Sequence, residues 1–174
     1  MKLTRSARFA CVPAAVLLIA LSGRLYGSPI EILQPIGSTT LRVFFWTIYD
    51  STLYSDDGRY RGIEPGLALK IDYRRSVRRD QLIETTRDQW RELNLYESGD
   101  SEAWLNILAE FWPDIKRGDS ITLYVEPDLS ASFFYNEKAV GQITDPRFTQ
   151  SFLAIWLSEN STFPRLRNEL IGLN

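Results

Sequence analysis

From Gly37 to Tyr54 the chain reads GSTTLRVFFWTIYDSTLY, with no Gly or Pro after Gly37 and dense in β-branched and aromatic residues. That pattern predicts one long strand. Alternation sets Leu41, Val43, Phe45, Thr47 and Tyr49 on one side and Arg42, Phe44, Trp46, Ile48 and Asp50 on the other. Both sides carry large apolar groups, so the strand is expected to be covered on both faces, or on one face and a ligand. Arg42, Tyr49 and Asp50 need partners if buried, because an unpaired buried polar group costs about 1–3 kcal/mol.

The remaining pattern supplies the other elements. Ile30 to Leu33, between Pro29 and Pro35, predicts a short edge strand. Leu67, Leu69, Ile71 and Tyr73 alternate with Ala68, Lys70, Asp72 and Arg74, a strand with one wet face. After Ser76, Leu82, Thr86, Trp90 and Leu93 recur at helical spacing. A second helix carries Trp104, Leu105, Leu108, Phe111 and Trp112 and stops at Pro113. Ser120–Glu126, Ala131–Tyr135 and Val140–Ile143 read as strands joined by turns at Pro127-Asp128 and Asn136–Lys138. Asp145-Pro146 pairs a cap with a proline at the first helical position. The helix it opens runs through Phe148, Phe152, Ile155 and Trp156, and a last short helix follows Pro164. Helices grouped in pairs argue an α+β fold with a mostly antiparallel sheet.

Composition adds a leader and several exclusions. Lys2, Arg5 and Arg8 precede an apolar run from Ala10 to Leu21, and Ala20-Leu21-Ser22 offers small residues for cleavage. The run is short of the roughly 20 residues that span a bilayer. Residues 1–22 are therefore expected to be a cleaved secretory signal, an uncleaved anchor being the alternative. After cleavage, residues 23–174 are expected to be a single domain, periplasmic or secreted, with no stable membrane span. Three of the 20 basic residues and none of the 22 acidic ones lie in the leader, leaving a net charge of −5. The single Cys and single Met lie there too, and the chain has no His. The mature domain thus has no thiolate nucleophile, disulfide, imidazole base or Cys/His metal site, and no cofactor is expected.

The cluster Arg74, Arg75, Arg78 and Arg79 is flanked by Asp72 and Asp80, and reads as a solvated strand-to-helix corner rather than a nucleic-acid surface. No carboxylate pair has spacing that demands acid–base work. Asp50, ending an apolar stretch, reads as a structural acid. Five Trp, eight Tyr and nine Phe make either an aromatic core or a cleft for an elongated apolar molecule with Arg and Tyr at its mouth.

The set Gly37, Leu41-Arg42, Phe45-Trp46, Tyr49-Asp50 and Leu53-Tyr54, with Leu67-Ala68-Leu69 and Pro113-Asp114-Ile115, resembles the bacterial chalcone isomerase-like family. The C-terminal run FLAIWLSENSTFPRLRNELIG is the most specific part, and the resemblance covers essentially the whole mature chain. It implies an open-faced β-sandwich, a large antiparallel sheet with helices layered on it. Plant chalcone isomerases work with an Arg, a Thr, a Tyr, an Asn and a Ser or Thr. Here Tyr49 stands at the Thr position, Arg78 near the Tyr, Thr85 near the Asn, and Thr149 at the Ser/Thr; the arginine nearest to the expected one is Arg42. One match in five does not support flavanone-forming catalysis. A Tyr at that position is similar to the fatty-acid-binding branch, where Arg and Tyr hold a carboxylate.

Arg42, Trp46, Tyr49, Tyr73, Arg78 and Thr149 are accordingly the ligand-binding candidates, and no residue is assigned a catalytic role. Arg42 and Tyr49 are an odd number of residues apart, so a regular strand places them on opposite faces. A bulge, or Arg78 in place of Arg42, is needed to unite an arginine with that tyrosine. The reading is an exported, non-catalytic domain for an apolar or amphipathic small molecule such as a fatty acid. The alternatives are an isomerase (intramolecular lyase) acting on a chalcone-like conjugated carbonyl, and a structural or partner-binding envelope protein.

Overall fold

The run from Gly37 to Tyr54 is two strands, not one. In the structure, a computed structural model describing residues 27–173, β1 (Gln34–Val43) and β2 (Trp46–Ser55) are antiparallel arms of a hairpin. The turn is Phe44-Phe45, with Phe44 at φ 54°. Such a turn normally takes Gly or Asn, so two phenylalanines hide it from any reading based on turn residues. Pro29–Ile32 form a short 3₁₀ turn rather than the expected edge strand, and pairing begins at Gln34. The expected signal segment, residues 1–22, lies outside the described residues.

β3 (Ala68–Tyr73), β4 (Ser120–Val125), β5 (Ala131–Tyr135) and β6 (Lys138–Ile143) extend the hairpin into one sheet in the order β1 to β6, every neighbour antiparallel. The register aligns Leu53, Leu69, Leu123 and Phe133 across one face. On the other face run Thr52, Lys70 and Thr122, with Lys70 3.2 Å from Asp72. Lys70 and Asp72 keep that face wet at β3, whereas Thr122 and its partner Phe134 on the same face are buried.

The helices α1 (Arg79–Glu92), α2 (Asp100–Phe111), α3 (Pro146–Leu157) and α4 (Pro164–Leu170) complete the α+β open-faced sandwich. α2 packs on β6, α3 on β5, and α4 on β1 and β2, while α1 lies against α2 and α3. Between the layers Trp90, Trp104, Phe133, Phe148 and Phe152 form a chain of mostly edge-on rings. Burying each such side chain contributes about 1.5–3 kcal/mol. The Trp90 indole also donates to the Ser151 carbonyl at 2.9 Å, tying α1 to α3.

Local chemistry fixes where the helices start. Asp145 accepts from the Arg147 amide at 2.9 Å with Pro146 at the first helical position, as expected. The Arg78 amide donates to Gln81 at 3.2 Å to open α1. Gly37 sits where α4 crosses β1, and a Cβ there would overlap the Glu169 and Leu170 carbonyls.

Candidate functional site

The layers do not close completely. A cavity of about 310 Å³ lies between the sheet and α1, α3 and the segment that leads into α4. Its floor is Leu41, Tyr49, Leu69, Ile71, Tyr73, Ile121 and Leu123 from the strands. Its roof is Leu82, Thr85, Thr86 and Gln89 from α1, with Phe152, Ile155 and Trp156 from α3. Val43, Thr85 and Phe163 line it yet are exposed, so they mark its mouth. Across that rim Thr162 Oγ1 donates to Gln89 Oε1 at 3.3 Å, linking α1 to the α3–α4 segment.

The walls are apolar with a few neutral polar groups, and among the described residues no charged side chain lines them. Thr86 and Ser161 spend their hydroxyls on the Leu82 and Ile155 carbonyls. Tyr49 and Tyr73 are cross-strand partners whose rings meet edge-on at 6.0 Å. The Tyr49 oxygen accepts from Trp156 Nε1 at 2.9 Å, so its own proton remains to be given. Burial pushes the Tyr49 hydroxyl up to about 12, and the Trp156 bond offsets only part of that. Burial, with the neighbouring Tyr49, pushes Tyr73 higher still. Both are therefore neutral hydrogen-bond donors near pH 7, since the unperturbed phenol already titrates at about 10.

Two of the six candidates, Tyr49 and Tyr73, line the cavity. Arg42 and Trp46 line a groove on the opposite face of the sheet, with Arg74, Arg75, Arg117 and Asp50. A bulge does occur here, since Leu41 pairs with Tyr49 and Arg42 with Thr47, leaving Ile48 without a partner on β1. It does not bring Arg42 to Tyr49. Arg42 instead faces Asp50, whose carboxylate partial burial would raise. Bonds from Thr40 and Arg74, with the charges of Arg74 and Arg42, hold it below the usual range.

Arg78 is exposed at the start of α1 and lines neither the cavity nor the groove. Thr149 is fully buried and donates to the Leu129 carbonyl at 2.7 Å, away from the cavity wall. The corner arginines are solvent-exposed, and Asp50 is a tied structural acid. The resemblance set Thr85 near the isomerase's Asn without making it a binding candidate, and sequence reading did not single out Gln89 or Trp156. The signal for Thr85 and Gln89 was the helical spacing that sets them, with Thr86, beside Leu82, polar groups on an otherwise apolar face. Trp156 gave none, because at i+4 from Phe152 it looks like any core aromatic.

A family model for chalcone isomerase-like proteins matches residues 33–172, the whole sandwich from the start of the sheet to the end of α4. The chain belongs to the chalcone isomerase-like family. Another chain similar to this family member is an uncharacterized protein of Haemophilus influenzae, 28% identical over 156 residues, spanning 90% of this chain and 76% of that protein. Among solved structures, an Arabidopsis thaliana fatty-acid binding protein superposes with a TM-score of 0.59 over 84% of this chain and 90% of its own. At 11% identity that likeness is one of fold.

Proposed function

We propose that this chalcone isomerase-like domain holds an elongated apolar or amphipathic small molecule, a fatty acid being the leading class, without transforming it. The observation that carries the reading is the apolar cavity of about 310 Å³ with two neutral tyrosine donors on its floor. Close-packed interiors hold few voids larger than a water molecule. Sealed and empty, a void of this size would cost on the order of 7 kcal/mol, comparable to the whole stability of a domain. Its volume falls at the lower end of small-molecule sites, about 300–1,000 Å³. The fold neighbour that is a fatty-acid binding protein brings that ligand class into view.

Binding is favoured over isomerisation by what the cavity collects. Of the residues standing at the isomerase's working positions, Tyr49 and Thr85 line it, whereas Arg42, Arg78 and Thr149 do not. Burial moves the titration of both cavity tyrosines further above neutral pH rather than toward it, which suits donors and not general acids or bases. The alkyl part packs against Ile71, Leu82, Phe152 and Ile155, and Tyr73, which has no protein partner among the described residues, donates to an oxygen of the head group. The leader pattern of residues 1–22 supports the further reading that this binding takes place in the periplasm or outside the cell.

Displacement of a fluorescent alkyl probe by fatty acids tests the proposal. Ile155→Phe fills the cavity and is expected to abolish displacement with the fold intact. Tyr73→Phe removes one donor and is expected to weaken binding about fivefold, the equivalent of about 1 kcal/mol, with an unchanged melting temperature. Tyr49→Phe additionally leaves the Trp156 N–H without its acceptor, so it lowers the melting temperature as well. Probe binding that survives Ile155→Phe would place the ligand elsewhere and contradict the reading.

A further inference from the structure

The tip of the β1–β2 hairpin violates two rules at once. Val43, Phe44, Phe45 and Trp46 are 46, 91, 98 and 58% exposed, four consecutive apolar residues in solvent. Phe44 also occupies the left-handed region, φ 54°, where a bulky side chain is disfavoured and glycine is the default. Neither solubility nor turn geometry selects phenylalanine here, so the rings are accounted for by something outside the fold.

Behind the tip lies the groove of Arg42, Arg74, Arg75 and Arg117, with Asp50 as its one carboxylate. Asp50 is already engaged by Arg74 at 2.6 Å and by Thr40. The groove is thus strongly cationic on a chain of net charge −2. Arg75 lies 3.7 Å over the Trp46 ring, joining the cationic groove to the apolar tip. Rings projecting beyond a bank of arginines match the layering of a lipid interface, where aromatics seat at the acyl boundary and cations meet the phosphates above it. A second copy is a poor occupant, because a two-fold contact through this tip would set like-charged grooves against each other.

We propose that the hairpin tip, Val43 to Trp46, inserts into the surface of an anionic phospholipid bilayer, with Arg42, Arg74, Arg75 and Arg117 holding the headgroup phosphates. The proposal stands on the tip and its arginines and needs nothing in the cavity. Val43 also lines the cavity mouth with Phe163, so docking would present the mouth to the bilayer; that connection alone rests on the binding reading above.

Flotation with vesicles of phosphatidylcholine and phosphatidylglycerol, against phosphatidylcholine alone, tests this on the chain from residue 23. All of the described buried core lies within that chain, and a cooperative thermal melt verifies its folding. The domain is expected to float with the anionic vesicles, less so as salt rises, and hardly at all with the neutral ones. Phe44→Gly with Phe45→Ser removes both rings while giving the turn its preferred residue. This pair is expected to keep the melting temperature and lose at least about tenfold in partitioning. Arg42→Gln and Arg75→Gln should each cost about fivefold, the equivalent of about 1 kcal/mol per charge.

Absence of flotation, or equal flotation of the double variant, would overturn the proposal. So would a wild-type dimer that the double variant dissolves, or binding of the tip to a single-stranded oligonucleotide in place of the vesicles. Flotation without fatty-acid displacement leaves docking in place and contradicts only the binding reading.

Discussion

Tyr49 and Tyr73 are the residues on which the chemistry of the cavity turns. Burial favours the neutral phenol, so folding raises Tyr49 to about 12 and Tyr73 further in the same direction. A group raised in the folded state gives its full stabilisation below its unfolded value, about 10, and that contribution is lost as pH climbs toward the folded one. Stability is therefore expected to fall between about pH 10 and 12. Tyrosinate absorbance should show Tyr49 and Tyr73 ionising last, or only as the protein unfolds. The difference between wild type and Tyr49→Phe isolates the first of them. A Tyr49 signal at an ordinary phenol pKa would mean that water fills the cavity and that the tyrosine is free to do acid–base work. The family resemblance, which sets Tyr49 at the isomerase's Thr position, made Tyr49 and with it Tyr73 legible as candidates. It could not separate them from Arg42 or Thr149, since the side taken by Arg42 depends on the bulge at Ile48, and Thr149 is consumed by the Leu129 carbonyl.

Elements were readable where local chemistry and hydrophobic period agree. Leu69, Ile71 and Tyr73 alternate and face the core together, and Asp145-Pro146 opens α3 at the expected place. The hairpin failed to show because Phe44-Phe45 follows neither turn chemistry nor solvation, and the two arms then read as one strand. The contact between α4 and β1 was invisible for a different reason: nothing local to Gly37 says that a helix from the far end of the chain crosses it. That contact makes a sharp prediction. Gly37→Ala forces a Cβ into the Glu169 and Leu170 carbonyls, which are backbone and cannot swing aside, and overpacking of this kind costs about 1–3 kcal/mol. Gly99→Ala, where nothing lies within 4 Å of the added atom, is the control and is expected to change stability far less. Equal denaturation midpoints for the two variants would show that α4 is not seated on β1 as described.

For the whole molecule, the order of elements was enough to give an α+β fold with a mostly antiparallel sheet, the resemblance supplied the open-faced sandwich, and the family match over residues 33–172 places the chain among chalcone isomerase-like proteins. A cavity is a different kind of fact, because it is set by what the packed layers fail to fill. Leu69, Ile71, Leu123 and Phe152 look like core in any pattern, and only their three-dimensional arrangement reveals the space between them. The account therefore rests on whether that space holds a ligand. Native mass spectrometry of the protein as purified, followed by solvent extraction and identification of what it released, asks this directly. The account predicts a mass above that of the chain, lost on extraction and restored by added fatty acid, with no chemical change to the acid on incubation. A chain that is empty as purified and takes up no fatty acid would contradict it.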